Sequence, residues 1–337
     1  VVLGAAVSIA YTLMGGLIAD ALTDTVQFTL MCVTLGIATL LALDAHGGVQ
    51  ALERALPPSY FDPRGSYPVW VLVVFGLSAL SVLVEPAFYQ RIFAAVSYRA
   101  VLAALAIGLV LWAAFDWIVT ILGMTAAAAG LDADPRYALL TLVVDVLPAG
   151  LTGLFVAGVI ATAMSTIDSY LLIAGGNLAY DIHRPMRRRP FTDAELLRQT
   201  RRMVVVAGAV SILFALFFRS MVSAWIFMST VLVAAALVPV LAALYLPRLA
   251  SPRAGMWSSL AGLASATAFY GAVNLFGETS EEWGTVIWTV DAGASSIELW
   301  QEYAVLIALP VSVIAFVAGR LATPGGQGGP LSEEART

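Results

Sequence analysis

Long apolar runs, most of them close to the length needed to cross a lipid bilayer, alternate with short polar segments along most of the chain. A transmembrane helix needs about 20 mainly apolar residues, because it rises about 1.5 Å per residue through a hydrocarbon core of about 30 Å. The strict alternation of polar and apolar positions that marks an outer-membrane β-barrel is not the pattern of these runs. The pattern predicts an all-α, polytopic membrane protein with about nine transmembrane helices.

The polar segments between the runs set the expected helix boundaries. The first helix is expected to end at the Gly15-Gly16 pair, and the segment before Pro148 is expected to be an acidic loop. After Glu85-Pro86 we expect a short interfacial helix over residues 87–97, because Pro suits the first helical position and Glu can cap it. The Gly-rich residues 321–337 are expected to be disordered. The predicted spans cover residues 1–13, 20–43, 67–84, 100–128, 150–180, 202–218, 224–245, 255–276 and 302–320.

Composition narrows the class of protein further. The chain of 337 residues is 60% hydrophobic with a mean hydropathy of +0.90, which excludes a soluble globular protein. It has one cysteine and two histidines, so an internal disulfide is excluded and a histidine or cysteine centre of an enzyme is disfavoured. Its charges lie in loops and not on a basic face, which argues against a nucleic-acid partner and leaves the lipid bilayer as the evident one.

The arginines orient the predicted helices. If residues 181–202 are cytoplasmic, alternation puts 13 of the 17 basic residues inside, all of them Arg, and leaves Arg54, Arg64, Arg136 and Arg219 outside. In membrane proteins the loops that carry an excess of Arg and Lys usually lie on the cytoplasmic side, so this excess indicates the orientation of the helices. With an Ala- and Arg-rich composition typical of a GC-rich bacterium, we expect a multi-pass protein of the bacterial inner membrane with a cytoplasmic C-terminus.

A dense group of polar residues interrupts the apolar run at residues 158–181. Hydroxyl groups in a membrane helix either donate to the carbonyl four residues earlier and help helices pack, or face a cavity or an ion. Ser165 and Thr166 offer hard oxygen atoms, and the carbonyl of Thr162, one turn earlier, keeps a spare lone pair. The residues alone leave both interpretations open.

Two carboxylates accompany this group. Asp24 lies about one turn into the second predicted helix from the cytoplasmic side, and Asp168 lies one turn inward of Ser165 on nearly the same helix face. Each is either a paired structural residue or a station for a cation on its way out of a membrane site.

Three stretches in this order and spacing resemble the sodium:solute symporter family. They are Y-T-x-x-G-G-L-x-A-D-x-x-T-D-T-V-Q at residues 11–27, E-P-A-F-Y-Q-R-I-F-A-A at 85–95, and A-x-A-M-S-T-x-D-S-x-L-L at 161–172. The resemblance implies a LeuT-type fold of two inverted five-helix repeats. Residues 1–43 would be the last two helices of the first repeat, residues 67–245 the complete second repeat, and residues 255–320 two additional helices. The earlier helices, including the unwound one that gives sodium two carbonyls in the family, would be missing.

The same resemblance implies the function and the site. It implies a sodium-coupled secondary symporter that imports a small organic solute by alternating access, with sodium bound by Thr162, Ser165 and Thr166. Asp24 and Asp168 would line the ion exit path. The alternatives are a proton-coupled symporter in which Asp24 or Asp168 titrates, and a transporter-like membrane sensor domain.

The residues expected to line the substrate path are Ser78, Ser81, Pro86 and Trp112. Sugar-transporting relatives carry Asn at the position of Ser78 and Lys at that of Trp112, while proline-transporting relatives carry Trp at the position of Ser78 but share Pro86. The solute is therefore expected to be neither a sugar nor proline. The sequence leaves the solute, the sodium stoichiometry and the oligomeric state undetermined.

The predicted orientation has a direct test in a variant in which Cys32 is replaced by Ser. A cysteine introduced at Arg188 should react with an impermeant maleimide only from the cytoplasmic side, and one introduced at Glu281 only from outside. Labelling of both positions from the same side would contradict the nine-span topology.

Overall fold

Helices dominate the computed structural model, which describes residues 2–130, 137–187, 189, 191–215, 221–280, 283–292 and 295–322. Within these residues the helices are α1 (Val2–Ala45), α2 (Gly48–Ala55), α3 (Val69–Ala79), α4 (Pro86–Ala94), α5 (Tyr98–Ala128), α6 (Ala138–Val146), α7 (Ala149–Asn177), α8 (Asp193–Ala215), α9 (Met221–Leu232), α10 (Val238–Tyr245), α11 (Pro252–Phe276) and α12 (Ala304–Leu321). Short 3₁₀ turns occupy Pro58–Phe61, Leu80–Val84 and Gln301–Tyr303, and π-helical turns extend α7 over Leu178–His183 and join α9 to α10 over Val233–Leu237. Three strands, β1 (Glu278–Ser280), β2 (Thr285–Ala292) and β3 (Ser295–Trp300), complete the fold.

Seven of the described helical segments are long and apolar enough to cross a membrane. They confirm the predicted helical membrane protein, whereas the count of nine spans is not confirmed. One reason is α8. Its first ten residues carry Arg198, Arg201 and Arg202, and its apolar part ends next to residues 216–220, which lie outside the described part. The tail predicted to be disordered also lies outside it beyond residue 322.

Three local predictions are wrong. The helix does not end at Gly15-Gly16, because α1 runs unbroken over 44 residues, or about 66 Å at 1.5 Å per residue. Glycine inside a helix costs about 1 kcal/mol but removes no backbone hydrogen bond, so a pair of glycines weakens a helix without ending it. The segment expected to be an acidic loop contains α6, and Glu85 does not cap α4 with its buried Oε1, which has no hydrogen bond.

The chain divides into two compact units, Val1–Gly65 with Gln90–Phe217 (unit 1) and Ser66–Tyr89 with Phe218–Thr337 (unit 2). In unit 1, helix α7 packs along α1 and against α8, and its Phe155 belongs to a buried cluster with Leu122 of α5 and Leu142 and Val143 of α6. Glycines let the helices approach closely. A Cβ added at Gly175 would lie 2.9 Å from the backbone nitrogen of Val204 on α8.

A reciprocal cap starts α8. The backbone N–H of Glu195 donates to Thr192 Oγ1 at 3.3 Å, and the backbone N–H of Thr192 donates to Glu195 Oε2 at 3.0 Å. This pairing satisfies two donors that the first turn of a helix otherwise leaves without partners. The N–H of Thr192 lowers the pKa of the Glu195 carboxyl, as does the charge of Arg189. The cap is therefore present above the ordinary pKa of Glu and is lost as the pH falls through the lowered one.

Unit 2 is held together by small residues between helices. On the facing sides of α11 and α12, the buried hydroxyls of Ser258 and Ser312 lie 2.9 Å apart, and Ser258 Oγ also donates to the Ser312 carbonyl. A Cβ at Gly262 would overlap the carbonyl of Ala234 in the π-helical turn. Such small-residue packing brings helix backbones together where lipid offers no hydrophobic driving force.

The sheet was not anticipated from the hydropathy pattern. Its strands are antiparallel in the order β1-β2-β3, with Glu278 opposite Ile287 and Ile287 opposite Trp300. The rings of Phe276 on α11 and Trp288 on β2 have their centroids 5.4 Å apart. The sheet therefore lies over the end of α11, between this helix and α12.

We expect Gly262→Ala to destabilise unit 2 by roughly 2 kcal/mol or more, because the added methyl meets a backbone carbonyl that cannot rotate away. Gly271→Ala is the matched control, since it lies on the same helix and its Cβ would meet nothing within 4 Å. Thermal unfolding of the purified variants in detergent measures both. Equal midpoints for the two variants would contradict the close packing at Gly262.

Candidate ion site

The three oxygen atoms predicted to bind sodium converge on one turn of α7. Ser165 Oγ donates to the carbonyl oxygen of Thr162 at 2.9 Å, and Thr166 Oγ1 donates to the same carbonyl at 3.3 Å. The predicted back-bonding is thus realised. The hydroxyl lone pairs stay available to an ion, whereas the carbonyl oxygen, which also accepts the helix hydrogen bond, is free for an ion once a hydroxyl turns away from it. The three atoms form one face of a hard-oxygen site.

The surroundings of this face are partly open. Thr162 and Thr166 are exposed in the structure and Ser165 is half-buried. The hydroxyl of Thr162 contacts Met31 Sδ on α1 at 2.7 Å and the carbonyl of Gly158 at 2.9 Å. Its side-chain hydrogen is directed away from the oxygens that converge, so only its backbone carbonyl belongs to the face.

One turn further along α7, three carboxylates meet. Oxygen atoms of Asp20 and Asp24 on α1 and of Asp168 on α7 all lie within 4.8 Å of one another. Asp20 and Asp168 are almost fully buried, with side-chain exposures of 3% and 0%, and Asp24 is half-buried. The structure therefore brings together both predicted exit-path residues and adds Asp20.

Arg91 on α4 neutralises part of this negative charge. Its guanidinium nitrogen Nη2 lies 3.2 Å from Asp20 Oδ2, 3.1 Å from Asp24 Oδ2 and 2.8 Å from Ser169 Oγ. Ser169 Oγ in turn lies 3.0 Å from Asp20 Oδ1, and the backbone N–H of Ser169 donates to Asp168 Oδ1. We call these five side chains, Asp20, Asp24, Arg91, Asp168 and Ser169, the carboxylate cluster.

The charge balance of the carboxylate cluster is negative. Three carboxylates face one guanidinium in a segment of membrane length, and Oδ1 of Asp24 is buried without a hydrogen bond. Uncompensated buried charge costs several kcal/mol, so such a cluster attracts protons or cations.

Comparison with known proteins decides the family. The model of the sodium:solute symporter family matches residues 1–262, more than three quarters of the chain. The chain belongs to the sodium:solute symporter family. The family and the relatives of this chain are transporters, as the lack of enzyme-like His and Cys clusters led us to expect.

The names of curated relatives in this family state two kinds of transported solute. The chain is 28% identical over 218 residues to the high-affinity proline transporter PutP of Bacillus subtilis. This alignment covers 62% of this chain and 46% of that protein. It is 29% identical over 191 residues to the sodium/pantothenate symporter of Haemophilus influenzae. This alignment covers 51% of this chain and 37% of that protein. The chain thus spans less than half the length of these relatives.

A solved structure confirms the fold of this family member. The substrate-bound, outward-open state of a Na⁺-coupled sialic acid symporter superposes with a TM-score of 0.69 at 17% sequence identity, over 96% of this chain and 66% of that one. At this identity the likeness establishes the fold and leaves the cargo open.

Sequence reasoning missed three members of the carboxylate cluster in this family member: Asp20, Arg91 and Ser169. Asp20 and Asp24 stand four residues apart, a spacing that puts two side chains on one helix face, and this was a usable signal. Arg91 lies in the second family stretch, but the sequence does not reveal that it reaches α1 and α7, 71 and 78 residues away.

The predicted substrate residues fall into both units. Ser78, Ser81 and Pro86 belong to unit 2, and Trp112, with an exposed side chain on α5, belongs to unit 1. Ser78 is fully buried and its hydroxyl has no hydrogen bond. Their assignment to a substrate path remains a prediction.

We expect Arg91→Gln to destabilise unit 1 by about 1–3 kcal/mol, because it leaves the buried Asp20 carboxylate without its cationic partner. The lower part of that range is favoured because the Arg91 side chain is 41% exposed. Adding Asp20→Asn should recover part of the loss. Arg99→Gln is the control, since Arg99 is exposed at the start of α5. Equal unfolding midpoints for Arg91→Gln and Arg99→Gln would show that the ion pairs contribute nothing.

Proposed function

We propose that this chain forms the ion-binding part of a sodium-coupled symporter that imports a small organic solute by alternating access. The convergence of the Thr162 carbonyl with Ser165 Oγ and Thr166 Oγ1 carries the proposal. Membership of the sodium:solute symporter family supports the coupling ion, and the names of the relatives support a small organic cargo.

The donor set suits sodium. All three atoms are uncharged hard oxygens, which alkali cations accept and which need no titrating group. A site of this kind drives transport only if sodium binds one conformation more tightly than the other, because a ligand shifts an equilibrium by its difference in affinity. We infer that further ligands complete the shell in the outward-open conformation and separate from it in the inward one.

The carboxylate cluster extends the site into an exit path. Asp168 lies one turn from Ser165 on α7, and Asp24 lies opposite it on α1. A sodium ion leaving neutral oxygens meets these carboxylates next, where the surplus negative charge holds it briefly. Arg91 competes with the ion for the same oxygens, which keeps the cluster from trapping it.

Proton coupling is the alternative that the carboxylate cluster itself favours. Three carboxylates close together cannot all stay ionised at low cost, so Asp24 or Asp168 is a plausible proton carrier. The two forms of coupling differ in one observable. Uptake through neutral oxygens should persist in a sodium gradient after the proton gradient is collapsed, whereas proton coupling would abolish it.

The remaining assignments stay part of the proposal. The solute passes Ser78, Ser81, Pro86 and Trp112 and is neither a sugar nor proline, although proline transporters are among the relatives. The protein lies in the bacterial inner membrane with its C-terminus in the cytoplasm. Residues 67–245 form the second inverted repeat, residues 1–43 end the first, and residues 255–320 are additions.

The test is the sodium dependence of uptake by the full-length protein in vesicles. Ser165→Ala and Thr166→Ala should each raise the half-saturating sodium concentration by about tenfold, the equivalent of about 1.4 kcal/mol for one lost ligand. Thr29→Ala is the matched control, because Thr29 makes the same bond to the carbonyl four residues earlier, from an exposed position on α1.

Unchanged sodium dependence in both α7 variants would show that the ion binds elsewhere. A similar loss in the Thr29→Ala control would instead indicate a general effect of removing a back-bonded hydroxyl. Loss of solute affinity with unchanged sodium affinity would move Ser165 and Thr166 to the substrate path.

A further inference from the structure

A carboxylate in unit 2 is buried away from the basic residues that the structure describes in that unit. Glu302 lies in the turn between β3 and α12 with a side-chain exposure of only 5%. In the part of unit 2 that the structure describes, the basic residues are Arg248, Arg253 and Arg320. Arg320 is at the far end of α12, about 27 Å away at 1.5 Å per residue. No basic side chain of the described unit is therefore placed to balance the charge of Glu302.

The two oxygen atoms of Glu302 have different surroundings. Oε1 accepts a hydrogen bond from Thr285 Oγ1 on β2 and one from Gln301 Nε2 at 3.2 Å. Oε2 is buried and has no hydrogen-bond partner among the residues that the structure describes. An ionised carboxylate with an unpartnered oxygen away from water is costly, so something must compensate the charge.

The side chains around Glu302 are a shell of hard donor groups. The amide of Gln301, 2% exposed, donates to Ser223 Oγ of α9 at 2.9 Å and accepts from Asn274 Nδ2 of α11 at 3.3 Å. The titratable side chains that face Glu302 are Tyr270 on α11 and Tyr303. Hydroxyl, amide and carboxylate oxygens are the ligands that alkali and alkaline-earth cations prefer.

The segment that leads into Glu302 is strongly acidic. Residues 277–302 contain six acidic residues and no Arg, Lys or His: Glu278, Glu281, Glu282, Asp291, Glu298 and Glu302. A segment of one charge sign raises the local concentration of cations.

A proton does not satisfy this site as well as a metal ion does. A proton can sit on Oε1 and be donated to Thr285 Oγ1, since a hydroxyl both donates and accepts, but Oε2 then remains a buried acceptor without a donor. A metal cation at Oε2 balances the charge and uses its lone pairs at the same time. One carboxylate with neutral oxygens balances a single positive charge, which favours a monovalent ion.

We propose that Glu302 binds a hard metal cation, monovalent by charge balance, at the junction of the sheet with α9, α11 and α12. Hydrogen bonds from Thr285 and Gln301 to Oε1, and from Gln301 to Ser223, join β2 and α9 to the carboxylate that would hold the ion. This site belongs to unit 2 alone and does not depend on the sodium site proposed on α7.

The experiment uses the full-length protein carrying Ser165→Ala and Thr166→Ala, so that the coupling site proposed on α7 is weakened, and the effect of changing Glu302 is measured against this parent. Sodium chloride replaces N-methylglucamine chloride in steps, and calcium chloride is titrated separately. The thermal unfolding midpoint and the tryptophan fluorescence are followed, since Trp300 and Trp283, with ring centroids 5.6 Å apart, lie beside the site. We expect sodium to raise the midpoint in a saturable way.

Glu302→Gln should raise the half-saturating cation concentration about tenfold or more, or abolish the response, since it removes the charged ligand. Glu278→Gln is the matched control, because it removes one charge from an exposed position of the same acidic segment. Its response should stay within about twofold of the parent protein, as expected for a screened surface charge.

Three outcomes would overturn the proposal. If Glu302→Gln behaves like the parent in every cation, Glu302 holds no metal. If Glu278→Gln loses the response equally, the effect is a general one of the acidic segment. A response to calcium without one to sodium overturns the monovalent assignment. Should Glu302→Gln fail to fold, Glu302→Asp replaces it: the shorter side chain must raise the half-saturating sodium concentration, and an unchanged value overturns the proposal.

Discussion

The contact between α1 and α7 buries ionisable oxygen atoms within a segment of membrane length, and the rest of unit 1 is arranged so that this burial is tolerable. Asp20 and Asp168 are almost completely removed from water. In such buried surroundings an unpaired carboxylate costs several kcal/mol. Arg91 and Ser169 supply the hydrogen bonds that compensate Asp20. The close packing of α7 along α1 and α8 fixes the geometry, so the polar cluster and the glycines beside it depend on each other.

The same helix carries two kinds of oxygen site one turn apart, and the contrast between them suits transport. The Thr162, Ser165 and Thr166 face is neutral and partly open, whereas the carboxylate cluster is charged and mostly buried. Neutral oxygens attract a small cation through their dipoles alone, whereas carboxylates attract it through their opposite full charges. An ion that moves from one site to the other travels about one helical turn along a single face of α7. This arrangement places the proposed coupling site and its exit on one rigid element.

Unit 2 is held together by a different kind of contact, between small residues on neighbouring helices. Its helices α11 and α12 are joined by paired serines and small residues, which allow close approach of backbones in lipid. At its other end the sheet covers polar groups that include Glu302, Gln301 and Thr285. The sequence did contain a signal for this sheet. The run T-V-I-W-T-V-D-A is rich in β-branched residues and is followed by a glycine, which is typical of a hairpin strand. Its hydropathy is too low for a span, so a search for membrane segments passes over it.

The sequence by itself determined the membrane class and most helix positions, indicated the family, and singled out the three oxygens on α7 that we propose as ion ligands. Each of these depends on local information: the length of apolar runs, the 3.6-residue helical period, and short motifs whose members lie within one or two turns. The tertiary structure alone decided that Arg91 meets Asp20 and Ser169, and that Glu302 meets Thr285. These partners are separated by 71, 78 and 17 residues, and only the packing of helices and strands brings them together. The continuation of α1 through Gly15-Gly16 was also decided there, because a glycine's small intrinsic cost does not by itself end a long helix.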